Sequence, residues 1–176
     1  HDIEHFIYQD RDKPDVDFIV PKNFISPHSS DRCLRYLMNN NSFTAFNTNK
    51  ADVRFDPALD RVVFMVHDDE DKIIGGVGRS LNYNILPKWY VYGSKKYPFI
   101  CGGGDTAVIV EDCASACAVS DNFAGLALMG TSLPQEYTTV IKKRFKNVIV
   151  ALDRDATTKA FDIAREVGMV AHTRVV

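Results

Sequence analysis

KNVIVALDRDATTKAFDIAREVG, residues 146–168, joins an apolar run directly to a helical pattern through two acidic residues. The run at 148–152 has the length and the β-branched content of a buried strand. Asp153 and Asp155 follow it at once, and apolar side chains then recur at helical spacing up to Gly168. A strand that passes into a helix in this way is the building unit of a parallel sheet.

The same alternation of strand and helix patterns extends through the second half of the chain. One helical pattern, DCASACAVSDNFAG, ends at Gly125, and another is TSLPQEYTTVIKKRF. The apolar runs that alternate with the helical patterns are AVIVE (107–111), LALMG (126–130), NVIVAL (147–152) and MVAHTRVV (169–176). This alternation predicts an α/β domain with a parallel sheet and flanking helices.

The first half of the chain has a different pattern. Strand-like residues at 62–66 and 73–77 flank a charged turn at 68–71, which predicts a β-hairpin, and PKWYVYGS (87–94) adds a further strand. We therefore expect a smaller mixed α/β lobe at residues 1–104, followed by the parallel-sheet domain at residues 105–176.

The composition excludes some classes of protein. The chain has 176 residues, of which 45% are hydrophobic and 25% charged, as in ordinary globular proteins. Its net charge of −2 is no electrostatic match for nucleic acid, so binding of that kind needs a local basic patch. No apolar run approaches the roughly 20 residues of a membrane span, and no signal peptide is visible, so we expect a cytoplasmic protein without a membrane partner.

The cysteines indicate core packing. They lie at positions 33, 101, 113 and 117, and no pair has the CxxC spacing typical of a zinc site. Small thiols of this kind usually fill the interior of a protein, and they fit a reducing compartment.

Acidic residues follow two of the predicted strands. Glu111 and Asp112 end one run, and Asp153 and Asp155 end another. Ligands of open parallel sheets bind beyond the carboxyl ends of the strands, so Glu111 and the two later aspartates converge if these strands are neighbours. Carboxylates so close together need a cation, and Mg²⁺ prefers oxygen ligands. The alternative is that Asp112 and Asp155 only cap the helices that follow.

At this point the chain resembles a known family. VIVEDCASA, LALMGTSLP and VIVALDRDATTKA are similar to the Toprim domain of bacterial-type and phage replicative primases. FDPALDRVVFMVHDDEDKIIGGVGRSL and PKWYVYGSKK are similar to the segment before Toprim in primase cores, so the resemblance covers residues 55–176. The family commonly has a glycine and an aspartate where Asp112 and Ser115 stand, and the form seen here looks like the phage branch. The resemblance also implies that the Toprim domain is truncated at its C-terminal end.

The resemblance implies the roles of particular residues. Glu111, Asp153 and Asp155 would be catalytic and would bind Mg²⁺, for which Mn²⁺ can substitute. Three basic residues would hold nucleic-acid or nucleotide phosphates, and they are Arg61, Arg79 in GVGR and Lys88 in PK.

The implied function is that of a DNA primase catalytic core, a nucleotidyltransferase that makes short RNA primers on single-stranded DNA. Its expected partners are the single-stranded template, ribonucleoside triphosphates, and a replicative helicase or zinc module on a missing segment. It would act in the cytoplasm of a bacterium or of a phage-infected host. The alternatives are another Toprim phosphotransferase or nuclease, and a non-catalytic Toprim module that binds nucleic acid.

Overall fold

The computed structural model of the protein describes residues 7–8 and 17–176. The chain divides into two compact units, His1–Lys95 and Lys96–Val176. This division falls before the predicted boundary between residues 104 and 105. Residues 1–6 and 9–16 of the predicted N-terminal lobe lie outside the described residues.

The first unit contains a five-stranded sheet with the order β1-β5-β4-β3-β2. Its strands are β1 (Ile7–Tyr8), β2 (Val53–Asp56), β3 (Arg61–His67), β4 (Ile73–Ser80) and β5 (Trp89–Gly93). Strands β2 to β5 pair antiparallel, and β1 pairs parallel with β5. The predicted hairpin is confirmed, because β3 and β4 pair antiparallel on either side of the charged turn.

Two short helices accompany this sheet. They are α1 (Asp31–Asn39), which follows a 3₁₀ turn at Pro27–Ser29, and α2 (Phe43–Asn47). The Ser30 side chain accepts a hydrogen bond from the backbone N–H of Cys33, and this cap determines where α1 begins. Cys33 and Leu37 are fully buried on the inner face of the helix.

The second unit is the predicted α/β domain. Its strands are β6 (Ile100–Cys101), β7 (Thr106–Val110), β8 (Ala124–Ala127), β9 (Asn147–Val150) and β10 (His172–Val175). Its helices are α3 (Cys113–Ala118), α4 (Gln135–Arg144) and α5 (Thr157–Val167). The strand order is β10-β9-β7-β8-β6, and every pair is parallel except β6 with β8. A sheet of parallel strands with flanking helices is therefore present, as the sequence predicted.

The order in which the chain adds strands to this sheet reverses at β7. Strand β8 lies on one side of β7, whereas β9 and then β10 lie on the other side. Because crossover connections are right-handed, this reversal places α3 on one face of the sheet and α4 and α5 on the other. The core between the sheet and helices α4 and α5 includes Ile109, Leu126, Tyr137, Ile141, Phe145, Val148, Val150, Ala160, Ile163 and Val167.

Two details of this unit differ from the sequence-based expectations. Helix α3 ends at Ala118 instead of continuing to Gly125, which lies inside β8. A Cβ atom on Gly125 would collide with the backbone of Ala116 in α3, so the glycine allows helix and strand to pack closely. The unit also begins before residue 105, because Ile100 and Cys101 pair with β8.

The four cysteines are buried free thiols, as predicted. Burial raises the pKa of Cys33 to about 12, and it also raises the pKa of Cys113 well above its ordinary value, because the charged thiolate is poorly solvated in the interior. Among the described residues, no helix combines the length and the apolar character needed to cross a bilayer.

Candidate active site

The predicted acidic residues lie at the reversal point of the parallel sheet. Strands β7 and β9 are direct neighbours, and Ile109 lies opposite Val150. When the same register is continued beyond the strands, Glu111 falls opposite Leu152, the residue before Asp153. The helices after β7 and β9 leave toward opposite faces, which opens a crevice beyond the carboxyl ends of these strands. Such a crevice is where open α/β sheets bind ligands.

Glu111 is held in place and is already paired with a cation. Its backbone carbonyl accepts a hydrogen bond of 3.0 Å from the N–H of Met129. Its side chain is 22% exposed, and its Oε2 lies 3.4 Å from Nζ of Lys159, whose side chain is 15% exposed. Lys159 reaches it from the first turns of α5, the helix that follows β9. A partly dehydrated ion pair therefore occupies one side of the crevice.

Asp153 and Asp155 present their carboxylates to solvent. Both are exposed and flank Arg154 at the 3₁₀ turn Arg154–Ala156, which leads into α5. Among the described residues, neither carboxylate has a hydrogen-bonded or ion-paired partner, and no side chain caps the start of α5. The helix-cap alternative is therefore not what the structure shows for Asp155.

Asp112 behaves differently from these two aspartates. Its Oδ1 accepts a hydrogen bond of 2.9 Å from the backbone N–H of Ser115, which makes it the N-cap of α3. The cap interpretation is therefore confirmed for Asp112.

The donor set fits a hard divalent ion by its chemistry and its placement. Three carboxylates follow two adjacent strand ends, and carboxylate oxygens are the protein ligands that Mg²⁺ prefers. The side chains as they stand do not form a cluster, since no group of three or more His, Cys, Asp or Glu residues in the described part of the chain is placed to share one ion. The Lys159 ammonium lies instead against Glu111. Metal binding by Glu111, Asp153 and Asp155 remains a prediction.

Arg79 in the first unit is held between two aromatic rings. It is the penultimate residue of β4 and lies opposite Trp89 of β5, and its Cζ lies 5.6 Å from the ring centroids of both Trp89 and Tyr36 of α1. Cation–π contacts of this kind orient a guanidinium without using its N–H groups. Among the described residues, these N–H groups have no hydrogen-bond acceptor. Arg79 is therefore positioned in a way that suits a phosphate ligand.

Lys88 lies in a bend directly before β5. Its backbone carbonyl accepts a hydrogen bond from the N–H of Ser80, the residue after Arg79, and its side chain is exposed. Lys88 also precedes Trp89, the cross-strand partner of Arg79. A phosphate-binding ridge formed by the two cations remains a prediction.

The prediction that Arg61 joins a phosphate-binding surface is wrong. Arg61 is only 2% exposed, and its guanidinium donates to the backbone carbonyls of Gly78 at 3.0 Å, Pro87 at 2.7 Å and Lys88 at 3.4 Å. It also lies 5.5 Å from the ring centroid of Tyr90. Burial lowers the pKa of Arg61, because the charged form loses hydration. Arg61 therefore fastens the loop between β4 and β5 to β3, which is a structural role.

Sequence reasoning missed Lys159. Its position four residues after Asp155, in the first turns of a predicted helix, could have signalled a cation close to the acidic edge. The aromatic partners of Arg79 were also missed, because Tyr36 is distant from it in the sequence.

Comparison with known proteins adds independent findings. No family model matches the chain. The DNA primase of Clostridium acetobutylicum is 32% identical to it in an alignment of 133 positions, and the match covers 65% of this chain and 22% of that protein. The chain thus spans about a fifth of the length of this curated relative.

Solved structures resemble the chain in fold. The zinc-binding and RNA polymerase domains of the Aquifex aeolicus primase have a TM-score of 0.57 and 22% identity, over 87% of this chain and 43% of that one. The DnaG primase catalytic domain bound to ssDNA has a TM-score of 0.55 and 17% identity, over 85% of this chain and 52% of that one. The resemblance of this chain to the bacterial-type DNA primases is therefore confirmed, by sequence with a curated primase and by fold with solved primase cores.

Proposed function

We propose that the chain is the catalytic core of a DNA primase, a nucleotidyltransferase that joins ribonucleotides into short primers on single-stranded DNA. The observation that carries this proposal is the position of Glu111, Asp153 and Asp155 at the carboxyl ends of neighbouring parallel strands, where the sheet reverses. The 32% identity with a DNA primase and the fold of the primase cores support the same class of reaction.

In this reaction a 3′ hydroxyl attacks the α-phosphate of a nucleoside triphosphate, and pyrophosphate leaves. A divalent ion, Mg²⁺ or Mn²⁺, when bound by Glu111, Asp153 and Asp155, would neutralise the charge on the reacting phosphates. The chain contributes the rigid strand ends that present these carboxylates. It also contributes Lys159, which balances the charge of Glu111.

Nucleic-acid binding is assigned to the first unit. The Arg79 guanidinium, held by Tyr36 and Trp89, and the exposed Lys88 would contact phosphates of a single-stranded template or of a nucleotide. Phosphate contacts of this kind weaken as the salt concentration rises. A replicative helicase and a zinc module remain predicted partners.

Primer synthesis from ATP and GTP on single-stranded DNA with Mg²⁺ tests the proposal. Asp153→Asn and Glu111→Gln should abolish the product. Asp162→Asn, an exposed aspartate on α5, serves as the matched control and should retain activity. Synthesis that survives both changes in the candidate site would contradict the assignment.

A second candidate function is a non-catalytic module that binds nucleic acid. The ion pair of Lys159 with Glu111, and the lack of a three-ligand cluster in the described part of the chain, favour it. This candidate predicts no primer product in the synthesis assay, together with salt-dependent binding of single-stranded DNA in a separate binding measurement.

A further inference from the structure

We propose that Lys159 is a built-in counter-ion that competes with the divalent ion for Glu111. This inference rests on the proposed metal-dependent function. It adds that Lys159 sets the affinity of the site for the divalent ion. It follows from the direct contact in which Nζ of Lys159 in α5 lies 3.4 Å from Oε2 of Glu111 after β7.

The contact is partly shielded from water. The side chains of Lys159 and Glu111 are 15% and 22% exposed, so each charge has lost much of its hydration and depends on the other for compensation. The exposed Arg154 has no contact of this kind with Glu111 in the structure, although it lies between the two aspartates. Lys159 is thus the cation that neutralises Glu111 when no metal is bound.

A divalent ion bound to Glu111 would share one carboxylate with the Lys159 ammonium, and the two positive charges repel each other. Binding of the ion through Glu111 is therefore opposed by this repulsion and, where the ion takes Oε2, by the loss of the Lys159 contact. Even at the dielectric constant of water, the Coulomb energy between two unit charges at this distance changes a binding constant by about a factor of ten. The effect is larger in a partly buried site, where the effective dielectric constant is lower. Lys159 would accordingly raise the metal concentration needed to fill the site.

Mn²⁺ binding in the absence of nucleotide measures this competition directly. Titration of each protein with Mn²⁺, followed by electron paramagnetic resonance of the free ion, gives the dissociation constant. Lys159→Gln should tighten binding about tenfold or more, and Lys159→Met, which keeps the aliphatic stem, should do the same. Lys159→Arg should stay close to the wild type, and so should Lys142→Gln, which removes an exposed lysine from α4.

Thermal unfolding supplies a second readout that does not depend on activity. At a fixed Mn²⁺ concentration, the rise in melting temperature should be larger for Lys159→Gln and Lys159→Met than for the wild type, because tighter binding to the folded state stabilises it more. The inference is overturned if both neutral variants bind Mn²⁺ no more tightly than the wild type.

Asp153→Asn separates the failure of this inference from the failure of the proposed function. If it weakens Mn²⁺ binding while the Lys159 variants behave like the wild type, the metal site stands and the competition is refuted. If the wild type and Asp153→Asn bind Mn²⁺ equally, the ion does not bind at the acidic edge, and both proposals fall.

Discussion

Replacing Arg61 by methionine should destabilise the first unit without directly removing a nucleic-acid contact. The guanidinium is buried and donates to three backbone carbonyls, two of them, on Gly78 and Pro87, at 3.0 Å or less. Methionine fills a similar volume and leaves these carbonyls without their donor. The loop between β4 and β5 would lose its attachment to β3.

The expected magnitude follows from those two shorter hydrogen bonds. A hydrogen bond made by a charged group contributes about 1.5–3 kcal/mol, so the two correspond to about 3–6 kcal/mol. Removing the buried charge recovers part of this, because a dehydrated guanidinium is itself unfavourable. We therefore expect Arg61→Met to lower the free energy of unfolding by about 2–4 kcal/mol, against a typical total of about 5–15 kcal/mol.

Urea unfolding followed by tryptophan fluorescence suits this measurement. Trp89 is the one tryptophan of the chain, it is fully buried, and it lies in the same unit as Arg61. Arg54→Met is the matched control, since it removes an arginine of the same sheet that is paired at the surface with Asp52, and it should cost no more than about 1 kcal/mol. Arg61→Met protein that unfolds at the wild-type urea concentration but no longer binds single-stranded DNA would refute the structural role.

Three further changes test the fold and the site. Gly125→Ala should lower stability by about 1–3 kcal/mol in chemical denaturation, since the added Cβ collides with the backbone of α3, and an unchanged midpoint would contradict that packing. Asp112→Ala should cost about 1 kcal/mol through the lost cap of α3, yet folded protein should keep its primer synthesis; loss of synthesis at full stability would instead make Asp112 part of the site. Partial burial disfavours protonation of His67, but hydrogen bonds and the charges of Asp52 and Asp71 outweigh it and raise the pKa of His67 above its ordinary value of 6.5. The protonated His67 should therefore stabilise the folded state fully below pH 6.5 and progressively less as the pH rises through the raised pKa. The difference in the free energy of unfolding between the wild type and His67→Gln should shrink over that range, and a difference that grows with pH would contradict the raised pKa.

Local patterns in the sequence determined the elements and their type. The strand and helix of residues 146–168 and the β3–β4 hairpin follow from periodicity and turn composition, which depend only on residues close together in the chain. The prediction of a helix that ends at Gly125 was wrong, because the role of this glycine depends on packing between elements. A glycine can mark a helix end or a close approach of two backbones, and only the packing of α3 on β8 distinguishes these.

Tertiary structure decided which charged residues meet. The sequence placed Glu111 and Asp153 after strands, but only the strand order, with β9 beside β7, makes them neighbours. The burial of Arg61 and the contact of Lys159 with Glu111 join residues far apart in the chain. Burial and long-range pairing depend on how complete elements pack against one another, and no local pattern around a charged residue carries that information. The sequence by itself therefore determined which chemical groups are available, and the three-dimensional fold decided which of them are exposed, neutralised or brought together.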